Sequence, residues 1–76
     1  MAEKSPEDYV YLPEVLFEFR QVGNSVRVTA IDPITSIEIT MVAPSRGSQE
    51  DVKKIAARRL AYVIAKKMAN DYKSDN

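Results

Sequence analysis

The chain contains neither cysteine nor histidine. Without cysteine it cannot form a disulfide or a thiolate zinc site. Without histidine it lacks the commonest metal ligand and the usual general base near neutral pH. We therefore expect no metal and no cofactor, and a core stabilised by side-chain packing alone. At 76 residues the chain is one small domain, a size at which marginal stability or oligomerisation is expected.

Catalytic motifs are missing as well. Residues 45–48 (Ser-Arg-Gly-Ser) precede a predicted helix, where backbone N–H groups could bind an anion. They lack the glycine and lysine spacing of a phosphate-binding loop and are typical of a plain loop with a helix cap. The acidic residues fall in a tail, in turns, on an exposed sheet face or at a helix start, which does not favour acid–base catalysis. We predict that the protein is not an enzyme.

Long apolar runs are absent, and none approaches the ~20 residues that a membrane-spanning helix requires. The first eight residues lack the basic and apolar regions of a secretory signal. These features predict a cytoplasmic protein without membrane association.

Three short runs between residues 14 and 43 alternate apolar with polar side chains, which is the period of a half-buried β-strand. They predict strands over residues 14–22, 25–32 and 36–43. All three runs place their apolar side chains on one common face of an antiparallel sheet. These side chains are Val15, Phe17, Phe19, Val26, Val28, Ala30, Ile37, Ile39 and Met41.

Two turn signals separate the predicted strands. Gly23-Asn24 suits a two-residue type II′ hairpin turn, because glycine accepts the positive φ at the first central position. This turn pairs Val22 with Ser25 and so predicts the register of the first two strands. Residues 32–35 (Asp-Pro-Ile-Thr) suit a type I turn in which Asp32 accepts backbone hydrogen bonds.

Residues 48–72 change to a helical period. Ser48 is the expected N-cap, and the helix is predicted from Gln49 to near Tyr72. On a wheel of about 100° per residue, one apolar stripe faces the sheet until Lys67 interrupts it. The stripe comprises Val52, Ile55, Ala56, Leu60, Val63 and Ile64. The predicted fold is α+β: a three-stranded antiparallel β-meander followed by one long C-terminal α-helix on one sheet face (βββα).

The domain limits follow from composition. Residues 1–8 are polar, and Pro13 ends the short apolar segment Tyr9–Leu12. We predict a disordered or extended N-terminal arm over residues 1–13, a single βββα domain over 14–73 and a disordered tail over 74–76. The segment Tyr9–Leu12 is expected to lie on the domain or along a sheet edge.

The net charge of zero hides a division along the chain. Residues 1–44 carry seven acids and three bases, whereas residues 45–76 carry eight bases and four acids. This division is expected where a basic helix meets an anionic partner, or where helix and sheet attract each other. Five side chains on one side of the predicted helix, within roughly 140° of one another, are candidate nucleic-acid or anion contacts. They are Lys54, Arg58, Arg59, Tyr62 and Lys66.

This basic side could neutralise several phosphates, with Tyr62 stacking on a base or a sugar. An ordinary solvated helix face is the alternative. A row of small residues beside the core stripe could in turn admit a second helix for self-association, or could simply reflect the high helix propensity of alanine. The row comprises Ala57, Ala61, Ala65 and Ala69.

Three apolar side chains, Leu16, Ile31 and Val42, are predicted on the sheet face away from the helix. Either the segment Tyr9–Leu12 or a second copy of the sheet would cover them; scattered exposure is a third alternative. Four charged residues could form a cross-strand network around either cover. They are Glu18, Arg20, Arg27 and Glu38.

A resemblance to known proteins spans roughly residues 14–67. It is carried by residues 16–33 (LFEFRQVGNSVRVTAIDP) and 60–67 (LAYVIAKK). They resemble a group of short uncharacterised bacterial proteins of unknown function, and the Phe-Arg-Gln-Val-Gly entry to the hairpin is the most specific part. In that group a glycine often follows the Asp-Pro-x-Thr turn, where this chain has Ser36. The resemblance implies a bacterial origin, and it implies neither an activity nor functional residues.

Together these features predict a small non-enzymatic protein-interaction module that associates with a protein partner or with itself as a homodimer. A nucleic-acid-binding domain that uses the basic helix side is the alternative.

Overall fold

The computed structural model describes Leu12 and residues 14–74, with side chains as far as Asp71. It contains a three-stranded antiparallel sheet whose strands are neighbours in chain order, followed by one helix that packs against the second and third strands. The predicted βββα fold is therefore confirmed. The elements are β1 (Leu16–Val22), β2 (Ser25–Ile31), β3 (Glu38–Pro44) and α1 (Gln49–Ser74).

The element bounds differ from the predicted ones by one or two residues. The sheet begins at Leu16 rather than at residue 14, and β3 begins at Glu38 because the preceding loop includes Ser36. The helix continues to Ser74. The predicted N-terminal arm lies outside the described residues except for Leu12, which packs against the core.

The first turn and the strand register agree with the prediction. Gly23 has a φ of 61°, and Asn24 has no positive φ, as a type II′ turn requires. Val22 pairs with Ser25, so every odd-numbered apolar residue of β1 lies on the helix side of the sheet. Because the side-chain period of a strand is two, this register decides which face each residue of β1 and β2 occupies.

The second turn is longer than the predicted type I turn. The carbonyl of Asp32 accepts the N–H of Ser36 at 2.8 Å, and the N–H of Asp32 donates to the carbonyl of Ile37 at 2.9 Å. Residues 33–36 therefore form a four-residue loop. Ser36 closes this loop in the left-handed region, with a φ of 64°.

The core is small and rich in alanine. Of the seven buried hydrophobic residues in the described part of the chain, four are alanine. Short side chains on both layers allow the helix backbone to approach the sheet closely, so that Leu60 is fully enclosed. The buried residues are Val28, Ala30, Ala43, Ala56, Leu60, Ala61 and Ile64.

The apolar stripe of the helix is narrower than predicted. Ile55 is 48% exposed and Val63 is 39% exposed, so the expectation that both cover the sheet is wrong. The residues that contact the core follow one i, i+4 line from Val52 through Leu60 to Ile64. Ala61, on the far side of that line from Ile55, is buried instead.

The helix is longer than the sheet that supports it. Its 26 residues extend for about 39 Å, whereas strands of seven residues extend for about 23 Å. Between Ala65 and Asp71 no residue is buried. The predicted loss of contact near Lys67 is therefore correct, and the end of the helix projects past the sheet.

Candidate interaction surfaces

The sheet face away from the helix carries several exposed apolar side chains. Leu16 is 47% exposed, Val22 56% and Val42 64%, while Ile31 is half-buried. Strand alternation explains this arrangement, because the even-numbered residues of β1 and β3 point away from the helix. The predicted set of Leu16, Ile31 and Val42 does lie on this one face.

Polar and charged side chains occupy the middle of the same face. The hydroxyls of Thr29 and Thr40 lie 3.2 Å apart on neighbouring strands. Arg20 stands directly opposite Arg27, which places two positive charges side by side. Lys53 and Glu50 on the helix form a salt bridge at 3.8 Å, whereas no salt bridge joins Glu18, Arg20, Arg27 and Glu38 to one another within the described part of the chain. The predicted charge network of the sheet therefore does not form within one chain.

The helix does not lie centrally over the sheet. It packs against β2 and β3, and on β1 Phe17 and Phe19 remain half-buried. The two rings lie 6.4 Å apart, and the ammonium group of Lys53 lies 5.8 Å and 6.0 Å from their centroids. The β1 side of the core is thus covered in part by a lysine side chain, which is a typical cation–π arrangement.

The five basic-side residues of the helix are all exposed. The ammonium group of Lys66 lies 5.8 Å from the centroid of the Tyr62 ring, so one face of this ring is already occupied. Two open surface grooves meet at Tyr62. One is lined by Ile55, Arg58, Arg59 and Tyr62, and the other by Tyr62, Val63, Lys66, Lys67, Asn70 and Asp71.

The alanine row is distributed between core and surface. Ala61 is buried, Ala57 and Ala65 are half-buried, and Ala69 is exposed. The middle of the row therefore contributes to the intramolecular contact between helix and sheet. Ala69, at its C-terminal end, is the most accessible of the four to another helix.

Asp32 is buried and its carboxylate organises the second turn. One carboxylate oxygen accepts the Thr35 hydroxyl at 2.7 Å and the Thr35 N–H at 3.2 Å, and the other accepts the N–H of Ile34 at 3.2 Å. The Thr35 hydroxyl lowers the pKa of Asp32 below its ordinary value. Burial acts in the opposite direction, and the two backbone N–H groups lower the pKa further. These hydrogen bonds indicate a structural role.

No group of three or more acidic residues in the described part of the chain is placed to hold a metal ion. A cavity of about 50 Å³ lies beneath the start of the helix, next to Phe19 and Val52, and is far smaller than a typical cofactor pocket of roughly 300 Å³ or more. Within residues 14–74, no helix is both long enough and apolar enough to span a membrane.

Two surface features were not predicted from the sequence. The first is the exposed apolar side of the helix formed by Ile55, Tyr62 and Val63, which the helical wheel placed partly in the core. The second is the β1 edge of the sheet, next to which Phe17 and Phe19 are incompletely covered. The strand order of a meander predicts this edge, because the first strand of a meander has a neighbouring strand on one side only.

Comparison with known proteins identifies a family for this chain. The sequence model of a domain of unknown function, DUF6898, matches residues 12–67, which is more than half of the chain. No curated protein and no solved structure matches the chain.

Proposed function

The chain belongs to the DUF6898 family of domains of unknown function, and we propose that it is a small protein-interaction module without enzymatic activity. The observation that supports this proposal is the group of exposed apolar side chains on the outer sheet face. Leu16, Val22 and Val42 lie on the side opposite the core, and they are 47%, 56% and 64% exposed.

Covering these side chains would provide substantial free energy. Fully burying a valine or leucine side chain contributes about 1.5–3 kcal/mol, so three such residues can contribute several kcal/mol to an interface. The core of one chain is small and rich in alanine. Binding to another protein would therefore add an appreciable share to a modest intrinsic stability.

The non-enzymatic part of the proposal is supported by the acidic side chains. Asp32 is the single buried charged residue in the described part of the chain. Three hydrogen bonds from its own turn already engage its two carboxylate oxygens. The arrangement therefore favours a scaffolding role over proton transfer to a substrate.

Size-exclusion chromatography of extracts from the cells that make the protein tests the proposal. We expect the wild-type chain to elute above the mass of one chain. Val42→Glu should shift it to lower mass, because a carboxylate on the outer face opposes burial. Ile34→Glu is the matched control, since Ile34 is an exposed aliphatic residue in the second turn, away from that face.

Elution of the wild-type chain at the mass of one chain would contradict the proposal. A larger mass that Val42→Glu leaves unchanged would contradict the outer sheet face as the binding surface. A cytoplasmic location is part of the same proposal, and fractionation of the same cells tests it.

Nucleic-acid binding by the basic helix side stays a prediction from the sequence, and no comparison or contact favours it. Tyr62 already has Lys66 against its ring, which competes with stacking on a base. A titration with mixed-sequence DNA and RNA at low salt tests this alternative. Binding that weakens steeply with salt would support it, and no binding at low salt would exclude it.

A further inference from the structure

Strand β1 forms one edge of the sheet, and its seven residues have a paired strand on one side only among the described residues. Within the described residues β1 pairs only with β2, and it contains neither proline nor a bulge. An exposed edge of this kind presents unpaired N–H and C=O groups to other strands. We propose that a second copy of the chain pairs with β1 in antiparallel fashion about a two-fold axis at Phe19. This inference goes beyond the proposed function, because it places a second copy at the edge of the sheet rather than on the outer face around Val42.

The backbone geometry of β1 permits this arrangement. The N–H of Asp32 bonds to Ile37 and the N–H of Ser45 bonds to Asn24, so the even-numbered residues of β2 form their hydrogen bonds with β3. The odd-numbered residues of β2 therefore bond to the even-numbered residues of β1. The N–H and C=O groups of Phe17, Phe19 and Gln21 consequently point towards the open edge.

Only registers that pair odd-numbered with odd-numbered residues use these groups, and charge selects one of them. With Phe19 opposite the partner's Phe19, Glu18 lies opposite the partner's Arg20, and the symmetry repeats this contact. A shift by one residue in each chain, centred on Glu18 or on Arg20, places two like charges opposite each other. Of these three registers, the one centred on Phe19 is therefore the one in which opposite charges face each other.

The same register accommodates the other outward-facing residues of β1. Leu16 comes to lie opposite the partner's Val22, and both side chains are about half exposed in the single chain. Each Arg20, which faces Arg27 within its own chain, gains an acidic neighbour on its other side. The unfavourable arginine pair of the monomer would thus be offset by the partner.

The apolar side of β1 supports the same interface. The helix packs against β2 and β3, so it does not obstruct a strand that approaches along β1. Phe19 is half-buried in the single chain. At the two-fold axis it would contact the partner's Phe19, which adds an aromatic pair to the backbone hydrogen bonds.

The opposite edge does not offer a comparable site. The outward-pointing backbone groups of β3 belong to its even-numbered residues, and one of these is Pro44, which has no N–H to donate. Glu38 is the single charged residue of β3, so no register of two β3 strands pairs opposite charges. The β1 edge is therefore the better candidate.

Charge reversal of the purified full chain tests the proposal. Sedimentation velocity from about 1 µM to about 1 mM detects dimers whose dissociation constants lie within that range. We expect the wild type to dimerise. Glu18→Arg and Arg20→Glu should each raise the dissociation constant about tenfold or more, because each places like charges opposite each other at two symmetric positions.

Mixing the two variants gives a sharper result. In a mixed dimer the two arginines of the Glu18→Arg chain face the two glutamates of the Arg20→Glu chain. An equimolar mixture should therefore dimerise at concentrations at which neither variant does alone. Glu38→Arg is the matched control, because it reverses an exposed outer-face charge on the β3 edge and should leave the dimer intact. Circular dichroism confirms that every variant is folded.

Several outcomes would overturn the proposal. These are a wild-type chain that stays monomeric throughout the range, single variants that dimerise like the wild type, and a mixture that stays monomeric. If the chain dimerises only after residues 2–11 are removed, the occupant of the β1 edge in the full chain is its own N-terminal segment and not a second copy. The purified chain could be monomeric while the chain in cell extracts elutes above the mass of one chain. This pair of results would refute the β1 dimer and leave the proposed function intact.

Discussion

Ser36 adopts a left-handed backbone conformation that costs an L-residue about 1–2 kcal/mol. The loop requires this conformation because the N–H of Ser36 must reach the carbonyl of Asp32 while the chain turns back into β3. Glycine would meet the requirement without strain from a Cβ atom. The position is therefore a site of local strain that a single substitution can relieve.

Ser36→Gly should raise the free energy of unfolding by about 0.5–1 kcal/mol, since the relief of strain exceeds the added chain entropy of the unfolded state. Urea unfolding monitored by circular dichroism measures the change. Ser36→Ala is the control, because alanine retains the Cβ atom and should bring no gain. Equal stabilisation by alanine and glycine would show that backbone strain is not the cause.

Asp32 should make the stability of the fold sensitive to acid. Its pKa is lowered in the folded protein, so the ionised form contributes stability that is fully present above the unfolded pKa of about 3.9. That contribution disappears as the pH falls through the lower pKa of the folded state. Urea midpoints measured between pH 7 and pH 2 should therefore decline across this acidic range.

Thr35→Val tests the cause of this shift, because it removes the 2.7 Å hydrogen bond from the hydroxyl to the Asp32 carboxylate. The pKa of Asp32 should then rise towards its ordinary value, as followed by NMR titration of the carboxyl carbon. Thr40→Val is the control, since that hydroxyl contacts Thr29 on the outer face. An unchanged titration in Thr35→Val would contradict the assignment.

At the level of the helix, contact with the sheet ends near Ile64. Replacing a side chain by alanine should therefore cost more stability before this residue than after it. Leu60 is fully enclosed, whereas Met68 is 62% exposed beyond the sheet. Leu60→Ala should destabilise the fold by about 2–5 kcal/mol, and Met68→Ala by about 0.5 kcal/mol or less. Urea unfolding curves of the two variants measure these changes, and similar losses of stability would contradict the conclusion that helix–sheet contact ends near Ile64.

The sequence predicted the sheet more accurately than the helix. Gly23-Asn24 specifies a two-residue turn, and from that turn the pairing of Val22 with Ser25 and the face of every residue of β1 and β2 follow. The helix offered no such reference point. Its rotation depends on how closely alanines such as Ala56 and Ala61 let it approach the sheet, which explains why Ile55 and Val63 were placed wrongly.

At the level of the whole molecule, the interaction surfaces were predicted only in part. Leu16, Ile31 and Val42 were placed on the outer face by strand alternation alone. The half-covered state of Phe19 could not be predicted, because it depends on the lateral position of the helix over the sheet. No periodicity in a sequence reports that position, since only the contacts of the folded chain determine it.

A dimer through β1 would link assembly to folding, so the melting temperature should rise with protein concentration. For a chain of this size we expect roughly 3–5 °C for each tenfold increase. Differential scanning calorimetry at several concentrations measures the effect. Arg20→Glu alone should melt at a temperature that hardly depends on concentration, and a similar dependence in both proteins would contradict the link.

The projecting end of α1 also has a kinetic consequence. None of residues 65–71 is buried, so their amide protons are protected mainly by the hydrogen bonds of the helix. This stretch should fray and exchange with deuterium through local opening, well ahead of the amides around Leu60, which require global unfolding. A partner that captured the helix end would slow this exchange, so deuterium uptake there offers a direct signal of occupancy.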